Sequence, residues 1–567
     1  MILSSLLVVP LAFPSVFGKL TAGIPGGVLL PRNDTSYLDS LSDNQRELFN
    51  YAMTGLDMNF APPFIFESTR YSAWYAVGLL ARNEGDDLAV ASQIIQDVIS
   101  FQYTDPNDLW FGTYQGETTA PTPGDVYAPK ECPQAYTSYD LNMGLFVCTS
   151  FIIALEEFSN ILDPDLVDLM KRSMYNATIG DGYRVGGVDG DNLYPIYSNP
   201  WYMRVMSATY VGNMMGDANM SYWGDHWANE AIQAFDKYST ISEFNSGTYT
   251  GVSLYALSLW GYMPESSVIS SRAADIITKT WETVGQIYNP TLHTLGGPWD
   301  RTYGYDLRRY FGILGGHIAG LLGGIADGSA PIPRPLVGCS HYGDAVILAL
   351  MPLTAKFHDP YVPASVIESL KSLSGPHAYF AQSVSPPFDD EAYPRNYTTW
   401  TQDGLSVGGI ESDENVVGGP ATSQTAYVPA SFIWKTDVPE AKDRGRLAWM
   451  FHHPTASSIS AVVSSTNLTI KYPPSRAFPE HSTTSNIMSF LFSGVYKTTL
   501  TQDFLANGTA VYSGLKLTVS GNVASGNRTL VYGQDAINEV SFYNLTYTIP
   551  DDLGDEVPTL IWEFEKL

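Results

Sequence analysis

Near residue 370 the hydrophobic period of this 567-residue chain changes from that of helices to that of strands. Before that point apolar residues recur at i, i+3, i+4 and i+7, the spacing that gives a helix one buried face. Ser68 to Arg82 places Tyr71, Trp74, Tyr75, Gly78 and Leu79 in this way, and Leu88 to Tyr103 does so with Ile94, Ile95, Val98, Ile99 and Phe101. Helical segments are also predicted from Ser138 to Asn160, Asp163 to Ala177, Pro200 to Asn213, Tyr222 to Tyr238, Thr250 to Gly261, Ser267 to Ile287, Leu307 to Leu322 and Tyr342 to Phe357. They come in pairs, with long loops rich in Gly and aromatic residues after every second one. That rhythm fits a ring of helical hairpins, an incomplete α/α toroid, better than a bundle with uniformly short turns. The long loops would gather at one mouth.

After residue 370 the stretches Thr398 to Ile410, Thr425 to Trp434, Ser458 to Ile470, Ile487 to Tyr496, Ala510 to Ser520, Thr529 to Tyr532, Ala536 to Ile549 and Thr559 to Glu565 alternate apolar and polar residues. Gly, Asn, Pro and Ser separate them, so they read as strands of an antiparallel β-sandwich. The expected class is α+β multidomain: a helical catalytic domain over 19–370 and a sandwich over 371–567. Residues 19–45 read as a turn-rich lead-in, and Thr104 to Tyr136, with five prolines, as a long loop.

Residues 2–17 form an apolar run too short to span a bilayer comfortably, with a cleavable context near Gly18, so 1–18 is expected to be a secretory signal. No later run suggests a membrane span. Eight Asn-x-Ser/Thr sequons, at Asn33, Asn176, Asn219, Asn396, Asn467, Asn507, Asn527 and Asn544, support export and glycosylation. The expected location is therefore extracellular. Three cysteines, Cys132, Cys148 and Cys339, allow one disulfide at most, with Cys132–Cys148 the first expectation among three pairings. A net charge of −28 argues against a nucleic-acid partner.

Three polar motifs stand where loops enter helices. In Tyr197-Ser198-Asn199-Pro200-Trp201-Tyr202, Asn199 could present an amide to a ligand and Trp201 a flat face, although Asn-Pro also serves as simple helix-start punctuation. Glu243-Phe244-Asn245-Ser246-Gly247-Thr248-Tyr249 holds more hydrogen-bonding groups than a helix cap requires. The segment from Trp299 to Tyr310 carries Arg301, Tyr303, Tyr305, Asp306, Arg308 and Arg309, a cationic spot in an acidic chain. Its bland reading is that Arg301 and Arg309 neutralise Asp300 and Asp306.

His317 reads as a packed core residue, and no histidine has metal-ligand spacing. Asp181, Asp189 and Asp191 lack the spacing of a calcium loop and read as a polar turn. Nucleotide-binding glycine motifs and the Gly-x-Ser-x-Gly elbow are absent, so no metal or organic cofactor is expected.

The order Asn, polar-plus-Tyr, Arg on a toroid followed by a sandwich resembles the chondroitin AC and hyaluronate lyase family of polysaccharide lyases. The resemblance implies that Asn199 offsets a uronate carboxylate, Tyr249 transfers the proton and Arg301 orients it. The family's histidine is replaced by Asn245, so Tyr249 or Tyr305 would act as both base and acid. Trp201, Glu243, Trp299, Tyr303, Asp306 and Arg309 would line the substrate, an oligo- or polysaccharide. Two other readings stay open: an inverting glycoside hydrolase using Glu243 and Asp306, with Asp140 next, and a secreted glycan-binding protein without turnover.

Overall fold

The computed structural model describes residues 36–120, 122, 140–182, 194, 197–302, 311–332, 342–386, 388–419, 427–439, 445–535 and 540–567. Its longer helices are α1 (Asp43–Asn59), α2 (Thr69–Arg82), α3 (Asp87–Ser100), α4 (Met143–Phe158), α5 (Pro164–Gly182), α6 (Ser198–Met215), α7 (Ala218–Tyr238), α8 (Thr250–Leu259), α9 (Val268–Ile287), α10 (Gly312–Leu322) and α11 (Ala364–Lys371), with a 3-10 helix at Tyr342–Ala349.

They form two concentric layers. The inner layer runs α2, α4, α6, α8, α10 and the 3-10 helix, each packed on the next, and the 3-10 helix meets α2 again. Outside them lie α3, α5, α7 and α9, with α1 behind α10 and the 3-10 helix. Sequence chemistry sorts the layers. Every residue of α8 is buried, as is α4 from Met143 to Leu155. Outer α9 instead buries one stripe, including Ile269, Ala273, Ile276, Ile277, Trp281 and Val284, the pattern of a helix with one side in water. Because a returning helix separates consecutive inner ones from α2 to α8, these inner helices begin at the same end of the ring.

Two expectations are corrected here. The lead-in ends earlier than expected: α1 begins at Asp43, and the Ser42 side chain caps it by accepting from the Gln45 backbone N–H. Cys148 carries a free, buried thiol within α4 instead of bonding Cys132, and burial pushes that thiol up to about 12. Cys132 and Cys339 lie outside the described residues.

Apart from four two-residue strands that pair within 60–65 and 288–295, the strands are β1 (Trp299–Asp300), β2 (His377–Ser383), β3 (Arg395–Gln402), β4 (Leu405–Asp413), β5 (Tyr427–Val428), β6 (Ala430–Lys435), β7 (Leu447–His453), β8 (Ser458–Val463), β9 (Asn467–Lys471), β10 (Ile487–Ser493), β11 (Thr509–Tyr512), β12 (Leu515–Ser520), β13 (Arg528–Asp535), β14 (Val540–Thr548) and β15 (Thr559–Lys566). All but β1 and β5 belong to one antiparallel sheet of thirteen strands, in the order β11-β12-β15-β9-β8-β4-β6-β7-β10-β14-β13, with β3 also on β4 and β2 on β3. The sheet curls over its own core. Trp434 on β6 meets Tyr512 on the distant edge strand β11 with ring centroids 6.2 Å apart, and Phe432 meets Phe564 at 5.4 Å.

Three runs read as single strands are hairpins: β3–β4, β8–β9 and β11–β12. In the first and third, Gly404 (φ 66°) and Gly514 (φ 86°) supply the left-handed turn. Alternation continues across so short a turn, which hides it from the pattern.

The ring and the sheet are joined by backbone. β1, which precedes α10, pairs with β5, which precedes β6. The Asn289 amide donates to the carbonyl of Gln402 at 3.0 Å, and Thr399 Oγ1 donates to the Gly297 carbonyl at 2.9 Å. Gly408 is required at this joint, because a Cβ there would run into the Gly297 carbonyl.

Candidate active site

The loop from Ser242 to Tyr249 enters α8, the turn at Tyr197–Ser198 enters α6, and β1 ends at Asp300 just before Arg301. These three segments converge at the mouth of the ring. Ser198 Oγ accepts the Glu243 backbone N–H at 3.2 Å. Thr248 Oγ1 donates to the Arg301 carbonyl at 2.7 Å.

At the centre is Glu243, 1 % exposed. Asn199 Nδ2 donates to its Oε2 at 3.1 Å, and Arg301 Nε lies 3.3 Å from its Oε1. The Arg301 guanidinium sits over the Tyr197 ring at 4.6 Å and the Tyr249 ring at 5.6 Å. Those two rings meet edge to face with centroids 6.4 Å apart. An amide, a carboxyl, a guanidinium and two phenol rings therefore form one cluster. Asn199 and Glu243 form its closed floor, and the partly exposed Tyr197 forms its edge.

Arg301 takes a left-handed backbone, with φ 61°. For a residue with a long side chain that conformation costs about 1–3 kcal/mol and persists only where surrounding contacts impose it. Here the pairing of β1 with β5 and the Thr248 bond hold the turn, and the turn aims the guanidinium at Glu243.

Burial dominates the electrostatics. It pushes the Glu243 carboxyl up to about 7, Arg301 pulls it down, Asp300 raises it again, and the Asn199 hydrogen bonds lower it. Burial also raises Asp300, opposed by Arg301 and Arg395. A carboxyl poised near neutrality can hold a proton and release it, which is the property of a general acid or base.

Other expected site residues are engaged inside the protein. The Asn245 amide donates to the carbonyls of Gly296 and Pro298. Asn245 borders a narrow cleft of about 20 Å³ between its own loop and α9, which Glu243 and Arg301 do not line. Trp201 donates through Nε1 to the Trp227 carbonyl at 2.9 Å and stacks under Arg204. Trp299 is buried against Gly247 and donates to the Leu295 carbonyl. Their polarity or flatness drew them into the expected site, but those properties are satisfied by backbone and packing. His317 is buried in the core, as expected, with Nε2 3.0 Å from the Gly251 carbonyl. Tyr303, Tyr305, Asp306 and Arg309 lie outside the described residues.

The structure adds residues that the motifs did not single out. Tyr197 opens the Asn199 motif but was given no role there, and could have been chosen as a third tyrosine beside a cation. Arg395 on β3 is separated from the loops by some 150 residues of chain and leaves no local signal. A second polar group occupies the starts of α2 and the 3-10 helix. There Arg70 Nη2 donates to Asp344 at 2.8 Å, and its guanidinium lies 4.5 Å over Phe146 and 4.0 Å from Asp140. Among the described residues no three His, Cys, Asp or Glu side chains converge as metal ligands would, and no helix is long and apolar enough to cross a membrane.

Residues 46–356 match a family model described as Domain of unknown function (DUF8769), and residues 375–565 match one described as Domain of unknown function (DUF8770). No curated protein sequence matches the chain. Among solved structures, heparinase III is similar at 11 % identity and TM-score 0.45, over 96 % of this chain and 88 % of that one. The chondroitin AC lyase of Streptomyces coelicolor A3, in complex with chondroitin sulphate, is similar at 10 % identity and TM-score 0.26, over 92 % and 83 %. Endoglucanase CelQ from Clostridium thermocellum, complexed with cellotriose, is similar at 10 % identity and TM-score 0.25, over 93 % of each chain.

Proposed function

We propose that this chain, which belongs to the DUF8769 family, is an exported carbohydrate-active enzyme that cleaves a uronate-containing polysaccharide by β-elimination at the mouth of its helical ring. The observation that carries the reading is the position of one guanidinium: Arg301 lies over Tyr249 and Tyr197 and against Glu243. A tyrosine can give up its proton near neutral pH only if a cation offsets the charge left behind. Tyr249 is the base that takes the proton beside the uronate carboxylate, and it returns that proton to the leaving glycosidic oxygen. As that proton leaves, negative charge builds on the substrate's carboxylate. Arg301 and the protonated form of Glu243 are the groups able to offset it, and Asn199 holds Glu243 in place.

Incubation with a panel of acidic polysaccharides tests this. A lyase generates the ultraviolet absorbance of an unsaturated uronate, and Tyr249→Phe removes it. A second reading has its own support. A buried carboxyl near 7, as at Glu243, suits the general acid of an inverting hydrolase. That enzyme would generate reducing ends with no such absorbance, and Glu243→Gln would silence it while Tyr249→Phe would only weaken it.

A further inference from the structure

Helix α7 buries Met220, Gly224, Ala228, Ala231, Ile232 and Phe235 along one stripe, so its other side should be polar. Instead Tyr222 and Trp223 are 63 % and 41 % exposed. Their rings meet edge to face with centroids 5.6 Å apart, and His226 stacks parallel to Tyr222 at 6.4 Å. The exposed asparagine of the sequon Asn219-Met220-Ser221 lies three and four residues before these rings. Residues at that spacing are neighbours on a helix surface. Long side chains on a helix also lean over the turn N-terminal to them, which here is the turn carrying Asn219.

The coincidence recurs on the sheet. Phe380, 58 % exposed, pairs directly with Thr398 of the sequon Asn396-Tyr397-Thr398. Val531, 61 % exposed, pairs with Asn544 itself, and the exposed Val462 pairs with Thr469 of Asn467-Leu468-Thr469. Exposed Val511 shares a strand face with Thr509 of Asn507-Gly508-Thr509. Directly paired residues present their side chains on one face. Where these asparagines bond to the protein through their side chains, the amide oxygen does so: it accepts from Gln382 at Asn396, from Thr469 at Asn467 and from Thr546 at Asn544.

We propose that Asn219, Asn396, Asn467, Asn507 and Asn544 carry N-linked oligosaccharides whose first sugar lies against the adjacent exposed apolar side chain, with Tyr222 and Trp223 forming the platform at Asn219. Sugar rings have an apolar C–H face and polar edges, which suits aromatic rings that remain partly exposed to water. The transfer forms a bond from asparagine Nδ2 to the anomeric carbon of an oligosaccharide carried on a lipid diphosphate. The anomeric C–O bond breaks, the diphosphate leaves with the electron pair, and the amide nitrogen loses one proton. This inference requires passage through a secretory pathway and is independent of the catalytic reading.

The test uses full-length protein secreted from a eukaryotic host. Its peptides, released by an amide-cleaving glycosidase in heavy-oxygen water, are expected to show labelled aspartate at the five positions. A secreted protein with Asn219 unmodified, or a chain that is not exported, overturns the proposal. Loss of the Asn219 glycan alone, by Asn219→Gln, is then expected to lower the melting temperature by about 2 °C, and to lower that of a Tyr222→Ser/Trp223→Ser variant by less than half as much. Equal losses in both proteins would mean that the rings do not hold the sugar.

Discussion

Arg395, on the sheet, donates through Nη2 to the carbonyl oxygen of Ser242 at 2.8 Å, one residue before Glu243. Arg395 is fully buried, and its Nε lies 3.0 Å from Asp389. Glu414 and Asp300 are also close enough to raise its pKa. One cation of the sheet thus serves several buried carboxyls and the backbone of the helical ring's site loop. Removing it leaves those carboxyls buried without their cation, a change that costs about 3–5 kcal/mol. Arg395→Met is expected to lower the denaturant midpoint by a corresponding amount, whereas Lys516→Met, at a partly exposed position, leaves it in place. Urea unfolding followed by tryptophan fluorescence checks this.

Glu243 titrates near 7 in the folded chain against an ordinary value of 4.5. A raised pKa means that the folded state binds the proton more tightly than the unfolded one. The stability it contributes is therefore complete below about 4.5 and is lost as pH rises through about 7, a swing of roughly 3 kcal/mol for the isolated group. Asp300 and Asp389 are shifted in the same direction. Melting temperature is expected to fall between about pH 5 and pH 8, and Glu243→Gln is expected to flatten part of that fall. A calorimetric pH series on both proteins measures it.

Tyr249→Phe keeps the ring under Arg301 and removes the hydroxyl proposed above to move the proton. General acid–base help is worth about 10²–10⁴ in rate, so kcat is expected to drop by that factor while KM for the polysaccharide and the melting temperature stay close to those of the native enzyme. Initial rates of absorbance increase provide the measurement.

Gly247 lies against the Trp299 ring so closely that a Cβ would overlap it. Gly247→Ala is expected to destabilise by about 1–3 kcal/mol, as overpacking does. Because Trp299 and Asp300 form the strand leading into Arg301, activity is expected to fall by more than the folded fraction alone explains. Chemical denaturation paired with rate measurements separates the two effects.

The period of the hydrophobic residues was enough to identify both halves of the architecture, because a buried helix face and a strand face are each written within a few turns or residues. It also located most of the helices: α9, expected from Ser267 to Ile287, begins at Val268 behind the Ser267 cap. Helix α1 escaped because Asp43, Asn44, Gln45, Arg46 and Glu47 open it with a polar run. The hairpins escaped because alternation does not register a turn of two or three residues.

Local chemistry marked Asn199, Glu243, Tyr249 and Arg301 as side chains able to handle protons and charge, and the structure places them in one cluster. Their arrangement was not local. Glu243 lies 44 residues from Asn199 and 58 from Arg301, and which of its neighbours faces it depends on how α6, α8 and β1 pack. The same packing turned Asn245, Trp201 and Trp299 inward and brought Arg395 of the sheet under the loop. Sequence fixes which side chains a segment offers and how often they recur; the desolvation that moves a carboxyl from 4.5 to about 7 arises only when distant segments close over it.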